Sequence, residues 1–427
     1  MAQLVDLPKE IIIIICSVLR SERSTRHVLH TNTTDEEIDH VLHQVQKAVM
    51  NLSLVNKEFR RLLFRESYTS VSITEKRAAS KMISLLRLVR WNDVIRKSIR
   101  DFHIHIDEFE DLETLQEADI MFLEQTAASL GITINSRLSL LAIGPMRGRG
   151  FAVYEFLPHL YFIGTFCGLM EGIRFPVLQS LALRGTRRGA GHDLDESEPS
   201  GVSHEDLKNL FIAAPKLCDL FLQRYRLLRL LVKPRNTQIR SLVLHGVYAG
   251  FAELPSTIEP CEMLETFIYI KAMHEIEDDY LEIYPGELYR AITSRNHASS
   301  LHTVVLDFRP NNRQDPFSRR FSSFKDFTQL RSLWISMNSL DKAAHEDRYN
   351  MPIRNLPASL ERFHLAGISW EIAKDLLWLA DQIEWGKFPH LREVCIDGEG
   401  YDITNLVNRF RECGIHADSK IDNPITW

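Results

Sequence analysis

The stretch "LRSLWISMNSL" (330–340) places apolar residues at its first, fourth and sixth positions, with Asn338 three residues further on. Apolar residues two apart are typical of a β-strand, because successive side chains of a strand point to opposite faces. We name the unit apolar-x-x-apolar-x-apolar the phrase and number its positions 1 to 6. A recurring phrase would predict a stack of strands whose equivalent positions are aligned.

The phrase does recur, over most of the chain. Four copies follow a P-x-L lead-in, and proline at such a point ends a preceding helix or turn and favours an extended chain. Helix-like stretches separate the copies at 203–214, 286–296, 371–385 and 404–413. Good copies begin at Ile99, Leu138, Leu178, Leu217, Ile239, Leu301, Leu330, Leu360 and Leu391, and weaker ones at Leu160 and Leu264.

Strands that alternate with helices every 20 to 40 residues or so predict parallel strands packed side by side. The stretch 330–340 also fits the fuller leucine-rich repeat pattern, with Asn338 in its asparagine position. We therefore predict an α/β fold whose residues 70–427 form an irregular leucine-rich-repeat solenoid with parallel strands. The alternative is an ordinary α/β domain whose buried strands happen to read L-x-L.

Five consecutive isoleucines, Ile11 to Ile15, require a separate explanation. The apolar run is about half of the ~20 residues that a membrane span needs, and it lacks the basic start and cleavage site of a signal peptide. Pro8 and Glu10 suit the first turn of a helix, so we predict a helix from 8 to 20. Apolar residues lie almost all round it, so it must be covered on more than one side, by this chain or by another protein.

A second helical region follows this segment. The capping box Thr34–Glu37 opens it, and apolar residues continue at helical spacing to Leu63. The pattern predicts one long amphipathic helix, or two that meet near Asn51.

Two blocks of this region resemble the F-box proteins with leucine-rich repeats of the kind common in fungi. They are "LPKEIIIIICSVL" (7–19) and "NLSLVNKEFRRLLFRESYTSVSI" (51–73). The resemblance implies an F-box helical domain at 1–69, with an inserted or extended helix at about 35–50 where the family has a short turn. It further implies that the protein is a substrate-recognition adaptor of an SCF (cullin-type) ubiquitin ligase and acts in ubiquitin-dependent degradation. The implied adaptor-binding residues are Leu7, Pro8, Ile11, Ile12, Ile15, Leu54, Val55 and Phe59.

A target protein is expected to bind the repeats, because the side chains between the leucines of such strands form the surface that usually recognises a partner. We expect these side chains to face solvent; the alternative is that a loop or the C-terminal tail covers them. The candidate target-binding residues are His103, His105, Arg184, Phe221, His245, Trp334 and His364.

Composition narrows the classes of function. The net charge of −6 over 427 residues argues against nucleic-acid binding, which usually requires an excess of basic residues. Six scattered cysteines without a C-x-x-C pair suit neither a disulfide framework nor a zinc cluster, so we expect a reducing compartment, cytoplasm or nucleus. No motif of a known catalytic nucleophile or metalloprotease occurs. We expect no enzyme activity, cofactor, metal or membrane association, and an interaction scaffold unconnected with ubiquitin is the alternative function.

Two further motifs have weaker interpretations. "HIHIDEFED" (103–111) begins like a binuclear zinc hydrolase signature, with His103, His105 and Asp107 on one strand face, but Glu108 replaces the final histidine. "GPMRGRG" (144–150) could hold a phosphate through backbone amides, but it lacks the P-loop lysine and hydroxyl. We interpret both as parts of the repeat framework or its loops.

Overall fold

The computed structural model of the chain shows an α/β protein with parallel sheets. No helix among the residues it describes is long and apolar enough to cross a membrane. The described residues are 47, 51, 52, 54, 57, 60, 63, 64, 67–73, 78–105, 115–129, 174–184, 201–202, 211–223, 226–227, 238–249, 253–258, 261–271, 283–293, 297–309, 323–337, 352–368, 370–398 and 403–419.

The chain divides into two compact units, and the first comprises residues 1–217. Its strands β1, β2 and β3 are parallel neighbours, with Ile73 opposite Ile104 and Ile104 opposite Leu183. The elements of this unit are β1 (Ser70–Ile73), α1 (Ala78–Trp91), α2 (Asp93–Arg96), β2 (Asp101–His105), α3 (Glu117–Ser129), β3 (Ser180–Arg184) and β4 (Gly201–Val202).

The second unit comprises residues 218–425. Its main sheet is parallel throughout, in the order β5-β7-β9-β10-β11-β12-β13-β14, and β6 pairs with β8 beside it. Its elements are β5 (Asp219–Gln223), β6 (Arg226–Leu227), β7 (Ser241–His245), β8 (Tyr248–Ala249), α4 (Glu253–Ile258), β9 (Thr266–Ile270), α5 (Pro285–Thr293), α6 (His297–Ser300), β10 (Thr303–Asp307), β11 (Ser332–Ser336), a 3-10 turn (Pro352–Asn355), β12 (Arg362–Ala366), α7 (Trp370–Glu384), β13 (Glu393–Ile396), α8 (Thr404–Glu412) and β14 (His416–Asp418).

Each phrase in the described residues is one strand, and neighbouring phrases are aligned position by position. Position 4 of one phrase lies opposite position 4 of the next, as Val304 opposite Leu333 and Leu333 opposite Phe363. The weak copy at Leu264 is a complete strand, β9. The copies at Leu138 and Leu160 lie outside the described residues.

A repeated hydrogen-bond arrangement keeps these strands in phase. The amides at positions 2 and 3 of one phrase both donate to the carbonyl at position 2 of the preceding phrase. Arg331 and Ser332 donate in this way to His302, at 2.9 and 3.0 Å. Glu361 and Arg362 donate equivalently to Arg331, at 2.8 and 2.9 Å. The shared acceptor fixes the register at the entry to each strand, before the apolar positions begin.

Three of the predicted helices are confirmed: 371–385 and 404–413 match α7 and α8 to within one residue at each end, and 286–296 corresponds to α5, which ends at Thr293. The last two end in the same way, at a glycine with positive φ, Gly386 at 78° and Gly414 at 79°. The amide after each glycine donates to a carbonyl five residues back, which is the Schellman arrangement. Of the predicted helix 203–214, residues 211–214 are described, and 211–213 are helical.

The N-terminal helical domain is described only in part. Leu52, Leu54 and Leu63 are helical, as the amphipathic pattern predicts. The predicted helix 8–20 lies outside the described residues, as does 35–50 except for Lys47, which is helical. The predicted domain boundary between residues 69 and 70 falls within the first unit and stays a prediction.

Candidate functional site

One face of the second unit's sheet carries a continuous line of side chains from position 5 of successive phrases. Because side chains alternate along a strand, position 5 points away from the face that holds positions 4 and 6. The strand registers place these residues directly beside one another. We name this line the central row; it consists of Phe221, Val243, Ile268, Val305, Trp334, His364 and Cys395.

The character of the central row changes along the sheet. Ile268, Val305 and Trp334 belong to one buried apolar cluster, against which Val243 packs. After Trp334 the row turns polar, with His364 on β12 and Cys395 on β13. The change brings imidazole and thiol groups together at one end of an otherwise apolar face.

The polar end of the row forms a compact three-residue cluster with Glu393, two residues before Cys395 on the same strand. The Nε2 atom of His364 lies 2.8 Å from Oε1 of Glu393. The Cys395 thiol donates to the same oxygen over 3.9 Å. His364 is 0% exposed and Cys395 is buried, whereas 31% of the Glu393 side chain remains accessible. Two buried polar groups thus converge on a carboxylate that reaches solvent.

Trp334 borders this cluster and is completely enclosed. The Arg309 guanidinium lies over its ring, with the carbon atom 5.0 Å from the ring centroid. Asp307 holds Arg309 in place through a two-point contact, in which Nε and Nη2 donate to its carboxylate at 3.0 and 2.8 Å. The arginine therefore shields the aromatic ring on its solvent side through a cation–π contact.

The expectation that the target-binding candidates face solvent is wrong for most of them. The side chains on this face are largely buried, as both faces of parallel sheets commonly are. The alternative that the C-terminal tail covers this face stays a prediction, because residues 420–427 lie outside the described part. His103, Arg184, Phe221, Trp334 and His364 are buried, His245 is half-buried, and the His105 side chain lies outside the described part.

In the first unit, His103 is part of a strand-to-strand contact. Its Nδ1 atom lies 3.3 Å from the Ser72 hydroxyl on the neighbouring strand. The zinc hydrolase alternative requires Asp107 and the His105 side chain, and both lie outside the described part, as do Glu108, which replaces the final histidine of that signature, and the 144–150 loop. The hydrolase alternative is thus untested beyond the burial of His103.

Of the eight adaptor-binding candidates, only Leu54 falls within the described residues. It is helical and 63% exposed, and Asn51 and Lys57, one turn away on either side, are exposed as well. Leu63, further along, is completely buried. The apolar side chain at position 54 is thus presented to solvent, whereas that of Leu63 is not.

The cysteines of the second unit differ in their surroundings. Burial raises the pKa of the Cys261 thiol from its ordinary value of 9.0 to about 12, and the thiol contacts the Thr257 carbonyl at 3.5 Å. Burial also raises the pKa of Cys413, although Arg409 opposes the shift. Within the described residues, Cys395 alone is grouped with both an imidazole and a carboxylate at ligand distances.

The sequence interpretation missed Glu393 and Cys395. A signal was present: His364 and Cys395 both occupy position 5 of consecutive phrases, "LERFHL" and "LREVCI", and Glu393 occupies position 3. In a parallel, in-phase pair of strands, equal positions become neighbours. Comparing only nearby residues overlooks a cluster whose members are about thirty residues apart.

The amino-acid sequence matches no protein-family model and no curated protein at a significant level. The assignment of a function consequently depends on the residues and the geometry described above.

Proposed function

We propose that this protein is a substrate-recognition adaptor of an SCF-type ubiquitin ligase, with an F-box at its N-terminus and an irregular leucine-rich-repeat solenoid after it. In this proposal the F-box helices bind the ligase's adaptor subunit, and through it cullin. The repeats hold a target protein. The chain performs no chemistry itself, and its contribution is to raise the local concentration of the target near the ubiquitin-transferring subunits.

The strand array supports the solenoid part of the proposal. Each phrase in the described part of the chain supplies one strand, and in the second unit each of these strands from β5 to β12 pairs in parallel with the strand of the next phrase. Repeat proteins are built in this way, from units that contact mainly their neighbours. Such arrays expose long edges and surfaces that are suited to binding other proteins.

The single observation that carries the F-box part is the exposure of Leu54. It lies in the block "NLSLVNKEFRR" that resembles the family's second helix, and an isolated chain leaves 63% of it in contact with water. Large apolar anchors at protein interfaces typically cost about 2 kcal/mol or more when removed. Leu54 is an exposed leucine on a helix, with the exposed polar residues Asn51 and Lys57 one turn away on either side, and this arrangement fits such an anchor.

The burial of the central row changes where a target would bind. Trp334 and His364 have no surface to offer while the native packing persists. Helix α7 supplies exposed apolar groups in the same unit, with Leu377 at its middle and Trp385 just beyond its end, the latter 70% exposed. We therefore place the target-binding surface on exposed groups of this kind and not on the row.

Capture of the purified SCF adaptor subunit by the full-length protein tests the proposal. The wild type is expected to retain the adaptor, and the double variant Pro8→Ala, Ile12→Asp to lose it. Leu54→Asp is expected to weaken capture about 30-fold, the equivalent of about 2 kcal/mol. Binding would be measured by titration on immobilised protein.

Trp91→Asp is the matched control, because it places the same charge at another exposed apolar side chain outside the F-box blocks. It should bind like the wild type. A wild type that retains no adaptor would refute the ubiquitin function and favour the scaffold, in which the F-box helices only cover the first strand. The burial of Leu63 and Ser67 is the observation that favours such a covering role.

A further inference from the structure

The polar end of the central row has the composition of a metal site. His364, Glu393 and Cys395 each offer one ligand atom, and these three atoms lie within 4.8 Å of one another. Imidazole nitrogen, carboxylate oxygen and thiolate sulfur are the three side-chain donors that zinc uses in proteins. The cluster joins strands β12 and β13, so its members are held on paired backbones and not on loops.

The distances in the cluster are close to those of a coordinated ion. Zinc bonds of about 2.0–2.3 Å in tetrahedral geometry place ligand atoms about 3.3–3.7 Å apart. The observed separations from Glu393 Oε1 are 2.8 Å to the His364 nitrogen and 3.9 Å to the Cys395 sulfur, on either side of that range. The Glu393 side chain is the most exposed of the three and can adjust by rotation.

A catalytic thiol is a poorer explanation of the same residues. A cysteine nucleophile is activated by direct contact with its base. Here the thiol and the imidazole both contact the Glu393 oxygen, which is their shared acceptor. Cys395 is also buried, so a substrate could not reach it without rearrangement. Three ligand atoms within 4.8 Å of one another fit the coordination of one metal ion better than a chain of proton transfers from thiol to base.

We propose that His364, Glu393 and Cys395 bind a zinc ion with three protein ligands and one water molecule. The thiolate favours zinc over magnesium or calcium, which prefer oxygen ligands. On binding, the Cys395 thiol proton is released to solvent, and the His364 proton on Nε2 moves to Nδ1, which leaves Nε2 as the ligand atom. The His364–Glu393 hydrogen bond is then replaced by a bond from each group to the metal. The partly exposed Glu393 side chain would let water reach the ion, and the ion would link β12 to β13.

Cobalt(II) added alone to the purified, metal-free full-length protein tests this site. Tetrahedral cobalt bound to a thiolate gives intense visible and near-ultraviolet bands. We expect these bands at a stoichiometry of one, and their loss when zinc displaces cobalt. Cys395→Ser should remove the thiolate band, and Glu393→Gln should weaken binding by about 100-fold or more, since even residues that only orient metal ligands cost 10–100-fold.

Cys413→Ser is the matched control. The Cys413 thiol contacts the Ala380 carbonyl, whereas the Cys395 thiol contacts the Glu393 carboxylate beside the His364 imidazole. It should keep the bands of the wild type. Glu393→Gln also separates loss of a ligand from misfolding, because the amide equals the carboxylate in size and the side chain is partly exposed, so this variant should fold like the wild type. The proposal is overturned if cobalt in excess produces no thiolate band in the wild type, or if the band persists in Cys395→Ser. The result does not depend on whether the adaptor subunit binds.

Discussion

Trp334 illustrates how a single residue's role is decided by its neighbours. Its place at position 5 of a phrase predicts a side chain that leaves the leucine face, and an aromatic residue there suggests a binding hot spot. On one side the position-5 neighbours Val305 and Ile268 are apolar, so the indole packs against them, and Arg309 lies over its ring. A group with 0% exposure contributes to stability and not to a surface.

Trp334→Ala is therefore expected to lower the free energy of unfolding by about 3–5 kcal/mol, the usual cost of removing a large aromatic side chain from a core. Guanidinium denaturation, followed by circular dichroism, measures the effect as a lower transition midpoint. Trp385→Ala is the matched control. Because Trp385 is largely exposed, its removal should change stability by no more than about 0.5 kcal/mol. Equal midpoints for the two variants would contradict the burial of Trp334.

At the scale of elements, an ion pair with a buried carboxylate and a partly exposed arginine joins the 3-10 turn Pro352–Asn355 to helix α7. The Arg354 Nε atom donates to the Asp375 carboxylate at 2.9 Å, and the guanidinium also lies over Trp378, 5.4 Å from the ring centroid. Only 8% of the Asp375 side chain is exposed. The pair forms because the turn that leads into β12 must cross this helix, and the carboxylate needs a partner where water is excluded.

Arg354→Met is expected to cost about 3–5 kcal/mol, because it leaves the Asp375 carboxylate buried without its partner. The double variant Arg354→Met, Asp375→Leu should recover most of the loss, since it removes the buried charge as well. Thermal and chemical denaturation of both variants would show this. Arg240→Met is the surface control. Its pair with Glu265, at 3.5 Å between exposed side chains, should be worth under about 1 kcal/mol. A double variant less stable than the single one would disprove the interpretation.

At the scale of the whole molecule, the proposed adaptor contact and the enclosed row fall in different compact units, Leu54 in 1–217 and Trp334 in 218–425. We expect the two to be separable. Leu54→Asp should weaken adaptor capture without moving the unfolding midpoint, whereas Trp334→Ala should move the midpoint without weakening capture by the folded protein. Capture assays and denaturation curves on the same preparations would test this, and a loss of capture in Trp334→Ala equal to that in Leu54→Asp would contradict it.

The amino-acid sequence alone predicted the strands that carry a phrase, their parallel pairing, and the helices α5, α7 and α8, because these follow from short-range patterns; the short strands β4, β6 and β8 carry no phrase. Apolar residues at strand spacing, prolines before them and glycines after the helices act within a few residues. Strand β9 was weakly signalled, and β14 was not predicted, since "HAD" carries no phrase. The burial of the central row and the cluster of His364, Glu393 and Cys395 were decided only by the tertiary structure. Both depend on residues that lie beside a strand in space but about thirty residues away along the chain. Alternation along one strand shows which face a side chain occupies, but it does not show whether that face is covered.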